Sequence, residues 1–228
     1  MNAPWPYPLW IAHRGAGKLA PENTLAAFRL GARHGYTAFE CDVKLSRDDI
    51  AFLLHDATLE RTTTGTGVAG DQRWADLSQL DAGGWHSPQH AGEPMPTLAA
   101  IAAYVRRNRF ALNIEIKPTP GHEEHTGRIV AQAAAHLWAH DALRPLLSSF
   151  KPAALQAAQA AAPALPRALL IDALWDGWFE CARSLDCVAV VANHALWDTA
   201  QVARVRAAGM RTLAYTVNDD ATAQRVLL

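Results

Sequence analysis

The chain is poor in cysteine, has no excess of charge of either sign and carries no long apolar run, and each shortage removes a class of protein. Only three cysteines occur in 228 residues, Cys41, Cys181 and Cys187. Their odd number and irregular spacing give neither a disulfide framework nor a zinc knuckle, so reduced thiols in a cytoplasmic setting are expected. Lysine and arginine number 21 against 22 aspartates and glutamates. That leaves no basic face for a nucleic-acid partner, although a small anionic substrate needs only a few local charges. No uninterrupted apolar stretch approaches the ~20 residues of a membrane span. The first ten residues contain no Lys or Arg and are not expected to be a secretory signal. Repeats at a solenoid period and low-complexity linkers are also missing, and nothing in the chain signals an oligomeric state.

What is present is a core-forming composition, half of it hydrophobic, arranged as short β-branched runs that alternate with helical patterns. The strand candidates are Trp10–His13, Ala38–Val43, Ala51–His55, Leu112–Ile116, Leu146–Phe150, Arg167–Ile171, Val188–Ala192 and Thr212–Val217. About eight strands at this spacing predict an α/β fold of the (β/α)8 TIM-type barrel class, in one domain. Asn23 or Thr24 can cap a helix with Leu25, Phe28 and Ala32 on one face and Gly35 as its stop. Thr97 and Asp198 can cap two more, the latter stopped by Gly209. The link from Lys44 to Ile50 is too short for a helix, so either the crossover is bare or the flanking strands form a hairpin. A hairpin about Arg47–Asp49 is expected to set Asp42 opposite His55. The stretch Ala57–Pro96, rich in Thr, Gly and Pro with one helical patch near Trp74–Leu80, is expected to be an inserted cap over the barrel mouth.

Catalytic groups of parallel βα barrels stand at the C-terminal ends of strands, and five of these ends carry polar residues. The first ends in His13-Arg14-Gly15, which can supply a proton-transfer group and a phosphate clamp. In Glu40-Cys41-Asp42 the alternation puts both carboxylates on one face. Two buried carboxylates are costly unless paired or ligating a cation, and hard oxygen donors suit Mg²⁺ or Ca²⁺. His55-Asp56 adds a second imidazole and a carboxylate that can orient a neighbour. In Asn113-Ile114-Glu115-Ile116-Lys117 three polar residues share a face; Glu115 can complete the carboxylate set and Lys117 can meet a phosphate oxygen. Tyr215 and Asn218 bring a ring and an amide to the same rim as substrate-shaping groups, with plain packing the alternative for Tyr215.

These segments, together with Pro21-Glu22-Asn23-Thr24 and Leu146-Leu147-Ser148-Ser149-Phe150, resemble in order and spacing the signature of the glycerophosphodiester phosphodiesterase family, over almost the whole chain. The run Gly17–Leu25 and the segment Leu146–Phe150 are especially similar to the cytosolic bacterial enzyme associated with glycerol-phosphate uptake. The resemblance implies hydrolysis of glycerophosphodiesters to sn-glycerol 3-phosphate and an alcohol, by way of a cyclic phosphate. It implies Glu40, Asp42 and Glu115 as ligands of a divalent cation, Mg²⁺ first, with Ca²⁺ and Mn²⁺ as alternatives. His13 and His55 become the general acid–base pair, and Arg14 and Lys117 hold the phosphate. Glu22, Asn23, Asp56 and Asn113 are expected behind these groups, orienting them. Family members usually continue with another strand, so a closing segment is expected to be missing after Leu228.

Two readings compete: a phospholipase-type phosphodiesterase of the same barrel, and a non-catalytic glycerophosphodiester-binding protein. The absence of an apolar docking face argues against the first and the complete set of polar groups against the second. An amidohydrolase barrel would need more histidine ligands. The run His122-Glu123-Glu124-His125 lacks the i,i+4 histidine pair of zinc proteases and is expected to be a solvated helix start. His86 and His90 are expected at the surface. Trp175, Trp178 and Trp197 are expected to pack rather than to cage a quaternary ammonium. Asn193-His194 is a candidate pair supporting the rim.

Overall fold

The computed structural model describes residues 5–227. Residues 1–4 and 228 lie outside it, and with them part of the opening stretch read for a signal and the last position before the expected closing segment. Seven strands form one sheet: β1 (Ala38–Leu45), β2 (Ala51–Leu53), β3 (Ala111–Ile116), β4 (Leu146–Ser149), β5 (Arg167–Ile171), β6 (Ala189–Asn193) and β7 (Arg211–Tyr215). Their order is β2-β1-β3-β4-β5-β6-β7; every ladder is parallel except that between β1 and β2. The helices are α1 (Leu25–Arg33), α2 (Trp74–Leu77), α3 (Leu98–Arg107), α4 (Glu123–Leu137), α5 (Pro152–Ala161), α6 (Trp178–Ser184), α7 (Thr199–Ala207) and α8 (Asp220–Leu227). This is the α/β TIM-type barrel architecture.

The two faces of the strands explain the layering. Phe39, Cys41, Val43, Leu112, Ile114, Ile116 and Leu147 point outward and pack with α3, α4 and α5 in the largest apolar cluster. Full burial of one such Leu, Ile or Phe contributes about 1.5–3 kcal/mol. Alternation sends the intervening residues inward. On β4 to β6 these are Leu146, Ala168, Leu170, Ala189 and Val191, joined by Trp5 and Tyr7. Tyr7 also donates its hydroxyl to the Arg144 carbonyl ahead of β4, which seats this plug at the N-terminal ends of the strands. On β1 and β3 the inward row is Glu40, Asp42, Lys44, Asn113 and Glu115. One half of the barrel interior is therefore hydrocarbon and the other half is charged.

Three expectations need correction. The first expected strand, Trp10–His13, shrinks to one bridge, Ala12 to Phe39, because the chain turns at once: Arg14 and Gly15 have positive φ and Gly17 N–H donates to the His13 carbonyl. The link from Lys44 to Ile50 is a hairpin, as one of the two options had it, but its register sets Leu54, not His55, opposite Asp42. Val43 pairs with Leu53 and Leu54 N–H donates to the Asp42 carbonyl at 3.1 Å. The last strand ends at Tyr215 rather than Val217, since Asp219 already caps α8 through Thr222 N–H.

The capping residues behave as chemistry requires. Thr24, not Asn23, caps α1 by accepting from Ala27 N–H. Thr97 caps α3 and Asp198 caps α7. Residues 57–96 form a compact excursion that includes α2 and shares an apolar cluster of Leu59, Ala69, Leu77, Ala82 and Met95 with Phe52 and Leu54.

Candidate active site

Glu40 and Asp42 stand two residues apart on β1, and the parallel register places Asp42 beside Glu115 of β3. One carboxylate oxygen from each of the three lies within 4.8 Å of the others, all buried. Burial first, and then the neighbouring carboxylates, raises Glu40 well above the ordinary range and Glu115 to about 7. Glu40 Oε1 has no hydrogen-bond partner although it is inaccessible to solvent. An orphaned, desolvated carboxylate oxygen in a group of three is costly unless a cation compensates it, so these residues could hold one. The all-oxygen donor set suits a hard divalent ion.

Cations and amides lock Asp42, which is 1% exposed. Arg14 Nε lies 3.3 Å and Lys117 Nζ 3.8 Å from its two oxygens. Asn23 donates to Asp42 Oδ2 at 2.8 Å and accepts from Asp42 N–H at 3.0 Å. That two-way clamp explains why Asn23 is not the helix cap. Lys117 Nζ also lies 3.0 Å from Glu115 Oε1. Arg14 donates its backbone N–H to Glu40 Oε2 at 3.0 Å and Nη1 to Glu22 at 2.9 Å.

Two imidazoles flank this group. His13 Nε2 is 3.9 Å from Glu40, and His55 Nδ1 is 2.7 Å from Asp56 Oδ1. Their side chains are 36% and 31% exposed, open enough for a ligand to reach. Burial, reinforced by Arg14, lowers His13 to about 4; burial also lowers His55, against the opposing pull of Asp42 and Asp56. Arg61, reaching over from residues 57–96, holds Asp56 well below the usual carboxylate range.

Of the expected residues, Asn113 lies buried beside Glu40 in the register. The Tyr215 hydroxyl donates to the Ile171 carbonyl and its ring meets Phe150 edge-on, 5.8 Å away. Lys117 Nζ lies 5.8 Å from that same Phe150 ring. Asn218 is exposed in the turn after β7. It lies between Tyr215 and the α8 cap. Asn193 is used up capping a 3-10 turn, and His194 meets Arg225. His125 binds Asp49 at the start of α4. His86 contacts the Lys18 carbonyl. Trp178 and Trp197 pack in an apolar cluster, whereas Trp175 is 39% exposed.

Three residues escaped the sequence reading. Lys44 continues the inward period of Glu40 and Asp42; it donates to the Lys117 carbonyl, and burial together with Lys117 lowers it to about 8. The same periodicity could have found it. Ser148, buried next to Glu115 in the register, has no partner for its hydroxyl. Arg61 carries no local signal, since its partners lie 5 and 39 residues away.

A sequence profile described as the Glycerophosphoryl diester phosphodiesterase family matches residues 13–228. A curated glycerophosphodiester phosphodiesterase of Caldanaerobacter subterraneus is 36% identical over 180 residues, 77% of this chain and 72% of that protein. A solved phosphodiesterase of Oleispira antarctica, in complex with the product sn-glycerol-3-phosphate, superposes with a TM-score of 0.89 at 36% identity, covering 97% of this chain and 89% of that one. A glycerophosphodiester phosphodiesterase of Agrobacterium tumefaciens gives 0.80 at 28% identity, covering 95% and 90%.

Proposed function

The chain belongs to the Glycerophosphoryl diester phosphodiesterase family, and on that premise we propose that it hydrolyses glycerophosphodiesters to sn-glycerol 3-phosphate and an alcohol, with a divalent cation held by Glu40, Asp42 and Glu115. The observation that carries this reading is the meeting of three buried carboxylates, one oxygen of them orphaned, between two accessible imidazoles. When bound, the cation supplies positive charge that offsets the carboxylates and stabilises charge growing on a phosphoryl oxygen. Mg²⁺ is the first choice for such hard donors, with Ca²⁺ and Mn²⁺ as its competitors.

The remaining roles follow from the chain's own groups. Arg14 and Lys117 face the carboxylates with their cationic ends and hold the non-bridging phosphate oxygens. One histidine takes the proton from the glycerol hydroxyl next to the phosphodiester as that oxygen attacks phosphorus; the other delivers a proton to the departing alcohol. The attack is intramolecular, which removes most of its entropic cost. Water then opens the cyclic phosphate with the histidine roles exchanged. His55 suits such a part because its Nδ1–H is committed to Asp56, leaving Nε2 for the substrate. Glu22, Asn23 and Asn113 hold the ligand carboxylates and Arg14 in place, while Tyr215 and Asn218 shape the rim more remotely.

Residues 57–96 serve as the cap: His86 touches the loop after Gly17, Glu93 accepts from the N-terminus of α1 through Ala26 N–H, and Arg61 reaches Glu22. Unpaired cysteines accord with a cytoplasmic site of action, and among the described residues no helix is long and apolar enough to cross a membrane.

The deciding assay is release of glycerol 3-phosphate from glycerophosphocholine and glycerophosphoethanolamine, with chelator and then with added Mg²⁺, Mn²⁺ or Ca²⁺. Turnover that survives the chelator discards the cation. Cleavage of intact phospholipid without cleavage of glycerophosphocholine replaces this reading with a phospholipase, and binding without turnover replaces it with a binding protein.

A further inference from the structure

Arg61 joins Glu22, which holds Arg14, to Asp56, which holds His55. It donates Nη1 and Nη2 to the two oxygens of Glu22, at 2.9 and 2.8 Å, and Nε and Nη2 to the two oxygens of Asp56, at 2.6 and 3.0 Å. Glu22 in turn accepts from Arg14 Nη1, and Asp56 holds His55 Nδ1. An unbroken chain therefore runs from Arg14 through Glu22, Arg61 and Asp56 to His55, four ionised groups of alternating sign leading to the imidazole. Arg61 itself belongs to residues 57–96, outside the barrel strands.

Building on the reading above, we propose that Arg61 is a positioning residue that fixes the tautomer and orientation of His55 and, through Glu22, the aim of Arg14. The physical reason is the fork. Glu22 and Asp56 are two carboxylates drawn to one spot; without a cation between them they repel, and each loses its preferred rotamer. A planar guanidinium can satisfy all four of their oxygens at once, and a lysine ammonium cannot. Asp56 free of Arg61 can swing from His55, which then exchanges between its Nδ1–H and Nε2–H forms. Glu22 free of Arg61 holds Arg14 by a single bond. Docking of the cap is thereby tied to assembly of the proton-transfer group: the cap contributes this side chain, and the barrel contributes everything the side chain aligns.

The test combines kinetics with a direct view of the imidazole. Arg61→Ala is expected to lower kcat/KM by about 10–100-fold, as loss of a partner that orients a histidine does. Asp56→Asn, cutting one arm, is expected to lower kcat, and Glu22→Gln, cutting the other, to raise KM. Each combined with Arg61→Ala is expected to cost less than the sum of the separate losses. Added guanidinium ion is expected to restore activity to Arg61→Ala, and Arg61→Lys, which keeps charge and fold, to remain impaired. Independently of turnover, long-range ¹H–¹⁵N spectra assigned with His55→Gln are expected to show a single Nδ1–H tautomer of His55 in the parent and a mixture in Arg61→Ala and Arg61→Lys. An unchanged His55 tautomer in both variants overturns the assignment to Arg61, whatever the activity. A shifted tautomer in a protein whose parent form hydrolyses no glycerophosphodiester supports the positioning role and overturns the functional reading instead.

Discussion

Asp42 shows how much a single inward position must satisfy. Its side chain meets Arg14, Lys117 and Asn23, and its backbone N–H donates to the same Asn23 side chain. Asn23→Ala leaves that buried N–H without an acceptor, a loss of about 1–3 kcal/mol. It also frees Asp42 to rotate away from Glu115. The expected outcome is a lower melting temperature together with weaker Mn²⁺ binding by calorimetry; loss of stability with unchanged Mn²⁺ affinity would refute the part given to Asn23 in the site. At the same scale, His13→Ala and His55→Ala are each expected to reduce kcat by about 10²–10⁴-fold, and turnover close to that of the parent would remove the tested histidine from proton transfer.

At the scale of elements, the site depends on how closely α1 approaches the loop that carries His13 and Arg14. Gly31 of α1 lies so near Gly15 that a Cβ there would stand 2.2 Å from the Gly15 carbonyl oxygen and 2.8 Å from the Phe39 ring. Gly15 needs its own positive φ of 98° to make the turn. Gly31→Ala must therefore push α1 off the loop, taking with it the Arg14 N–H that holds Glu40. Destabilisation by overpacking of about 1–3 kcal/mol is expected, with activity falling further than stability accounts for. Denaturant unfolding paired with kcat at a temperature where the variant is fully folded separates the two effects. By contrast Thr97→Ala, which removes a cap bonded to Ala100 N–H and not to the carboxylates, is expected to cost about 1 kcal/mol with kcat unaltered.

For the whole molecule, three carboxylates desolvated at the barrel centre make stability a function of pH and of cations. Glu115 is raised in the folded protein from its ordinary 4.5 to about 7, and Glu40 moves in the same direction. Between those values these two carboxyls bind protons that the unfolded state has released, so their contribution to the stability of the cation-free protein falls as pH rises from about 4.5 to about 7, while His13, lowered to about 4, and His55, also lowered, work in the opposite sense over much of the same window. A divalent cation that binds only the folded state restores it by mass action. Across this window in chelator the parent is expected to lose stability relative to Glu115→Gln, which removes the raised carboxyl and leaves the histidines in place, and Mg²⁺ or Mn²⁺ is expected to narrow that difference. A pH dependence identical in the parent and Glu115→Gln would contradict three carboxylates sharing one buried space.

The sequence by itself determined the succession of the seven strands that form, the inward polar row Glu40, Asp42, Asn113, Glu115 and Lys117, and the capping by Thr97 and Asp198. These are local matters: side-chain alternation has period two, and a cap reads only the next few residues. What only the tertiary structure decided lies between segments far apart in the chain. The hairpin register that opposes Leu54 to Asp42, the choice of Thr24 over Asn23 as cap because Asp42 claims Asn23, and the fork of Arg61 across Glu22 and Asp56 all depend on distances closed by packing. No pattern of neighbours in the sequence encodes such distances, because many loop paths are compatible with the same strand order and the burial of the whole core selects among them.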